Sequence, residues 1–186
     1  MNNYMSIGKK ITITLSILLI VCATIRYAIL PVFVFPMKYK EEVLASSQQY
    51  NVDPLLIYSI IRAESDFDSN AVSNRGAKGL MQIMDKTGEW AASEISLAEF
   101  SKDQLFDPAI NIRIGCWYIA KLINQYDGDV ATALAAYNAG TGNVYKWKNN
   151  KKYSEDGVTI NYIPFEETRN YINRVNRNLK FYRYLY

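Results

Sequence analysis

Asp53-Pro54-Leu55-Leu56-Ile57-Tyr58-Ser59-Ile60-Ile61-Arg62-Ala63-Glu64-Ser65 is the stretch on which the fold of this chain turns. Asp53 is a helix N-cap, an acceptor for the first free backbone N–H groups. Pro54 suits the first helical position, where its fixed φ helps and its missing N–H costs nothing. Leu55, Leu56, Ile57, Ile60 and Ile61 then make a strongly apolar, buried helix to about Ser65. Glu64 stands near its C-terminal end. The negative end of the helix dipole disfavours a second negative charge there, and apolar packing does the same. The carboxyl is therefore expected to keep its proton toward neutral pH, the state that general-acid cleavage of a glycosidic bond requires. A glutamate at a helix end is more often a solvated residue, so Glu64 alone does not decide a function.

Outward from this helix the chain reads as mainly α. Residues 38–50 form a helix of mixed charge, and 66–78, rich in Asp, Ser, Asn and Gly, form a loop. A short helix is predicted from Leu80 to Met84 and another over about Thr87 to Ile95. Asp107-Pro108 repeats the cap-plus-proline signal and opens a helix to about Tyr126. Asp129 caps an alanine-rich helix, Val130 to Ala139, which stops at Gly140. Residues 149–161 read as a polar loop. The last helix runs from Phe165 to the C-terminus, with Tyr171, Ile172, Val175, Leu179 and Tyr182 near one stripe.

Charge and composition narrow the chemistry. Of the 21 Lys and Arg, three (Lys9, Lys10, Arg26) lie in residues 1–36, which hold no acid, so residues 37–186 carry 18 bases and 18 acids. A neutral body argues against nucleic acid as a partner, because phosphate binding needs a cationic face. There is no histidine, which removes Ser-His-Asp and Cys-His catalysis and histidine-ligated zinc. Cys22 and Cys116 are too few for a four-cysteine metal site, and Cys116 falls in a helical apolar pattern as a small core residue.

Residues 11–25 carry no charge, and continuing through Arg26 to Leu30 gives a helix long enough for the hydrocarbon core of about 30 Å, with Arg26 snorkelling to the interface. Pro31 is expected to stop it. Residues 1–36 are thus read as a cytoplasmic tip and a single signal anchor, favoured over a cleaved signal peptide because no small-x-small site follows the apolar run cleanly. Lys9 and Lys10 place the tip inside and residues 37–186, the second domain, on the extracytoplasmic face of the cell membrane. Cys22 would lie in the membrane, apart from Cys116.

Four motifs then follow in order: Glu64-Ser65; Gly79-Leu80-Met81-Gln82-Ile83-Met84; Ala136-Tyr137-Asn138-Ala139-Gly140; and Ile163-Pro164-Phe165-Glu166-Glu167-Thr168-Arg169-Asn170-Tyr171. Together they resemble the soluble lytic transglycosylase family of peptidoglycan lyases, with a goose-type lysozyme fold, over about residues 38–186. The resemblance implies cleavage of the β-1,4 bond between N-acetylmuramic acid and N-acetylglucosamine, ending in a 1,6-anhydro ring. It implies Glu64 as catalytic acid and base, and no metal or cofactor. Ser73, Gln82, Met84, Tyr137 and Asn138 match substrate-contacting positions. The family tyrosine that points at the acid aligns to Tyr182, with Tyr171 as competitor. Peptidoglycan strands are the implied partner, the membrane a second through the anchor, with other cell-wall machinery a further candidate.

The residues themselves fit a one-carboxylate mechanism. The nearby acids, Asp66 and Asp68, sit in the loop directly after the helix, and Asp68 reads as a turn cap. A hydrolytic muramidase needs a second carboxylate, so it is the weaker alternative. A non-catalytic glycan-binding part of a wall-spanning machine is the other, disfavoured by the intact Glu64, Gln82 and Tyr137. Gly79 reads as a site of close packing, and Glu167 with Arg169 as a buried pair locking the last helix. Asp85 stands where the family often has proline, and Asn161-Tyr162 where it has an acid. Lys146, Lys148, Lys151 and Lys152 form a basic cluster in a segment, 141–186, that holds nine bases to four acids.

Overall fold

A computed structural model describes residues 7–186. In chain order the helices are α1 (Ile7–Thr24), a π-helical extension (Ile25–Val34), α2 (Lys40–Tyr50), α3 (Pro54–Glu64) and α4 (Asp85–Glu94). A 3-10 turn (Lys102–Phe106) follows, then α5 (Pro108–Gln125), α6 (Val130–Ala139), α7 (Thr141–Lys148) and α8 (Glu166–Leu185). The described residues contain no β-strand; two isolated bridges, Val72 to Lys78 and Lys78 to Ile83, pin the loop after α3.

The caps form as the side chains dictate. Asp53 accepts from Leu55 N at 2.8 Å, Asp107 from Ile110 N at 3.0 Å, and Asp129 from Ala131 N and Thr132 N. α3 is the central element, with Ile57, Tyr58, Ile60 and Ile61 fully buried. It packs most extensively against α8, which runs antiparallel to it: Asn178 donates to Ser59 O at 3.3 Å and Arg183 pairs with Asp53 at 3.0 Å. α6 offers Ala133, Ala135 and Ala136, all fully buried, so that α5 and α8 can approach it closely.

Two local expectations are corrected, and one helix, α7, is added to those read from the sequence. Leu80–Met84 is no helix but a tight turn in which Gly79 (φ +73) and Gln82 (φ +49) are left-handed. α7 follows α6 directly, because Gly140 (φ +86) ends one helix and starts the next. Pro31 does not stop the first helix, which continues to Val34 in a wider register closed by Phe35 N to Leu30 O at 2.7 Å. Phe35 is buried, stacked on Phe181 and edge-on to Tyr182, with the Arg62 guanidinium over its ring. Arg26 donates to Tyr184 O and lies over the Tyr184 ring, so the apolar helix and the end of α8 meet.

Gly79 packs closely, as its sequence context suggests. A Cβ there would lie 2.2 Å from Leu105 O and 2.4 Å from Asn111 Nδ2, at a φ that already disfavours side chains. Gly79→Ala is therefore expected to cost about 2–3 kcal/mol, read as a lower urea midpoint of the full chain in detergent.

Candidate active site

Glu64 lies partly buried on the wall of a cleft of about 640 Å³. The loop after α3 contributes Ser73, Arg75 and Ala77, the following turn Gln82 and Met84, α5 Tyr118, the end of α6 Tyr137 and Asn138, and the start of α8 Glu167. Burial lifts the Glu64 carboxyl from an ordinary 4.5 to about 7; the Tyr171 hydroxyl and Arg174 hold it down, and the Glu167 charge pushes it further up. Behind Glu64 the chain turns sharply through Asp66 (φ +49) and Phe67 (φ +68), and the strain is held by Phe67, which is buried against Tyr58.

The turn that carries Gln82 is fixed by buried polar bonds. Gln82 Nε2 donates to Gly79 O at 2.9 Å and Ala71 O at 3.1 Å, which leaves Oε1 as its acceptor for a ligand. Tyr137 donates its hydroxyl to Met81 O at 2.8 Å, and burial raises its pKa well above 10, so it stays a donor. Asn138 accepts from Thr168 on α8 at 2.8 Å, leaving its amide N–H groups for the cleft. Ser73 Oγ accepts from Ala77 N at 3.0 Å and so shapes its own loop while lining the cleft. Met84 is half exposed on the same wall.

Of the two candidate tyrosines, Tyr171 faces Glu64. It is fully buried and its hydroxyl acts on the carboxyl, though no protein group gives that hydroxyl a bond of full hydrogen-bond geometry, so the contact is loose. Tyr182 is corrected: its hydroxyl donates to Pro36 O at 3.0 Å, three helical turns from Tyr171 and outside the cleft.

Glu167 and Arg169 are not a buried pair. Arg169 donates to Ile163 O and Pro164 O, whereas Glu167 is exposed on the cleft and meets Arg75 at 3.5 Å. Asp66 is tied to Arg62 at 3.1 Å, and Asp68 accepts from Asn70 N at 2.9 Å as a turn cap. Glu167 is thus the acid that joins Glu64 on this wall. Asp85 holds Lys78 at 2.9 Å, and Cys116 is a buried core thiol pushed up to about 12. Among the described residues no group of three Cys, Asp or Glu side chains is placed to hold a metal ion.

Two participants carry no obvious sequence signal. Asn111 lies buried in α5, accepts from Met81 N at 2.8 Å and donates to Lys78 O at 2.9 Å and Leu105 O at 2.7 Å. Tyr118 packs against Tyr137 at 5.3 Å. A polar residue at a position buried by the helical period was the only hint of the first.

The chain is similar to several known proteins. The transglycosylase SLT domain family matches residues 41–160. The soluble lytic murein transglycosylase of Escherichia coli is 34% identical over 152 residues, 81% of this chain and 24% of that protein. The membrane-bound lytic murein transglycosylase C of Edwardsiella ictaluri is 33% identical over 78% of this chain and 46% of its own length. The chain therefore spans less than half of either relative. Among solved structures, the 70 kDa soluble lytic transglycosylase of Escherichia coli superposes with a TM-score of 0.71 at 31% identity, over 81% of this chain and 25% of that one. An inactive Glu-to-Gln mutant of the Pseudomonas aeruginosa lytic transglycosylase Slt gives 0.69 at 31% identity, over 80% and 24%. With its helical architecture and a family match over most of its folded part, the chain belongs to the transglycosylase SLT domain family.

Proposed function

We propose that this chain is a membrane-anchored lytic transglycosylase of peptidoglycan in which Glu64 is both acid and base. The observation that carries it is a partly buried carboxyl, held near pKa 7, on a cleft lined by amide and phenol groups. Protonated Glu64 gives its proton to the glycosidic oxygen as the bond from C1 of N-acetylmuramic acid breaks. The sugar's acetamido oxygen stabilises the cationic C1. Glu64, now a carboxylate, takes the proton of the 6-hydroxyl, and that oxygen closes on C1. One bond breaks and one forms, Glu64 regains its proton, and no water is consumed. Gln82 Oε1 and the Asn138 amide are the polar groups positioned for sugar hydroxyls.

Glu167 gives hydrolysis a specific footing as the second reading, since it is a further carboxylate on the cleft. Its pairing with Arg75 leaves it poorly suited as a nucleophile or base. Mass spectrometry of muropeptides released by the full chain in detergent separates the two. Expected are 1,6-anhydro ends; reducing ends alone would assign hydrolysis.

The anchor reading rests on Ile7–Val34, the helix among the described residues long and apolar enough to cross a membrane, with its apolar side chains exposed. Lys9 and Lys10 favour a cytoplasmic tip and a domain over residues 37–186 outside.

The pH profile tests the acid directly. A general acid must be protonated, so kcat/KM falls as pH rises through about 7. Tyr171 lowers the Glu64 pKa and Glu167 raises it. Tyr171→Phe is therefore expected to move the alkaline limb up and Glu167→Gln to move it down. Tyr182→Phe, whose hydroxyl serves Pro36, leaves the limb in place. Shifts in the same direction for the first two would remove Glu64 as the titrating group.

A further inference from the structure

Beyond the cleft, Trp90 and Trp117 meet with ring centroids 4.9 Å apart and planes at 78°, and Trp90 reaches Tyr118 at 6.2 Å. Tyr118 packs on Tyr137, and both line the cleft that holds Glu64. Trp90 stands three residues past Thr87, which also lines the cleft, so it continues the same face of α4 about 4.5 Å farther along the axis. It keeps 42% of its surface exposed. Lys121 Nζ lies 4.7 Å from the Trp90 ring centroid and 5.1 Å from that of Trp117, and meets Glu94 at 3.7 Å.

We propose that Trp90, braced by Trp117 and Lys121, is a stacking platform for a sugar ring of the glycan strand outside the cleft. The inference rests on the glycan reading of the cleft and deepens it. A pyranose offers an apolar C–H face and a hydroxylated rim. An indole supplies a broad, rigid partner for that face at little entropic cost, and its electron-rich π cloud attracts the polarised C–H groups. Lys121 and Glu94 add hydrogen-bonding groups at the rim. The aromatic run is continuous with the cleft, and a strand seated there would pass over Trp90 as it leaves.

The test uses the full chain in detergent with Glu64→Gln to stop turnover, and calorimetry against purified peptidoglycan glycan strands. Adding Trp90→Ala is expected to weaken binding about 5–10-fold, with Trp90→Leu matching it and Trp90→Phe staying within about twofold of the parent. Leu keeps apolar volume without an aromatic face, so it answers for any loss of packing in the Ala variant. Parent-like binding by the Leu variant would overturn the platform, as would a parent that binds no strands. If wild type still releases anhydro products in that case, the proposed activity stands and only the platform falls. If strand binding depends on the Trp90 ring but wild type releases no anhydro product, the platform stands and the activity falls.

Discussion

Glu64→Gln is expected to lower anhydro-product release by about 10²–10⁴-fold and, above neutral pH, to make the protein more stable than wild type. The two effects have one cause. Burial raises the carboxyl from 4.5 to about 7, so between those values the folded chain holds a proton that the unfolded chain has lost. Stability therefore falls as pH rises through that window and levels off above about 7, where a partly buried charge has been forced on the fold. The shift corresponds to at most about 3 kcal/mol, and the half-open cleft reduces that to about 1–3 kcal/mol. Gln has the same shape and never ionises. Urea unfolding at pH 8 should show the variant ahead by that amount, with the gap nearly closed at pH 5. Equal gaps at both values would contradict the raised pKa, and retained product release would remove Glu64 as the acid.

The raised carboxyl is legible in the sequence, because Asp53-Pro54 and the run of Leu and Ile set α3 and place Glu64 at its end. Asp107-Pro108 sets α5 in the same way, and Asp129 alone caps the alanine-rich α6. What escaped depends on contacts distant in sequence. Tyr171 and Tyr182 share one stripe of α8 and are both fully buried, so periodicity cannot separate them. The antiparallel docking of α8 decides: Tyr171 meets the C-terminal end of α3 at Glu64, Asn178 meets Ser59, and Arg183 meets Asp53 at the other end. Glu167 meets Arg75, on the loop after α3, while the guanidinium of its expected partner Arg169 is taken by the carbonyls of Ile163 and Pro164. The turn at Leu80–Met84 has helical propensity, but Gly79 and Gln82 adopt left-handed backbone in a turn held from outside: Ser65 and Tyr137 donate to the carbonyls of Leu80 and Met81, and Asn111 holds Met81 N–H and Lys78 O.

Asn111 makes two of those bonds, and Asn111→Leu is expected to be the most destabilising single change to this turn. Its side chain satisfies three backbone groups, Met81 N–H and the carbonyls of Lys78 and Leu105, in a place closed to water. Leucine nearly matches asparagine in shape but offers none of these bonds. At about 1–3 kcal/mol for each buried group left unpaired, with partial relaxation, the loss is about 3–6 kcal/mol. Gly79 leaves no slack for that relaxation, since the Asn111 amide already fills the space where a Cβ would be. The damage should reach the cleft, because Met81 and Lys78 flank the turn that presents Gln82 and Met84. Two measurements check this: a fall in the urea midpoint, and loss of glycan-strand binding in the Glu64→Gln background at temperatures where circular dichroism shows the helices intact. Asn111→Asp separates the roles. It keeps an acceptor for Met81 N–H but loses both donors and buries a charge, so its stability should recover as pH falls and the carboxyl is protonated. Wild-type stability in the Leu variant would instead assign the hold on this turn to Tyr137, which donates to Met81 O, and to Gln82 itself.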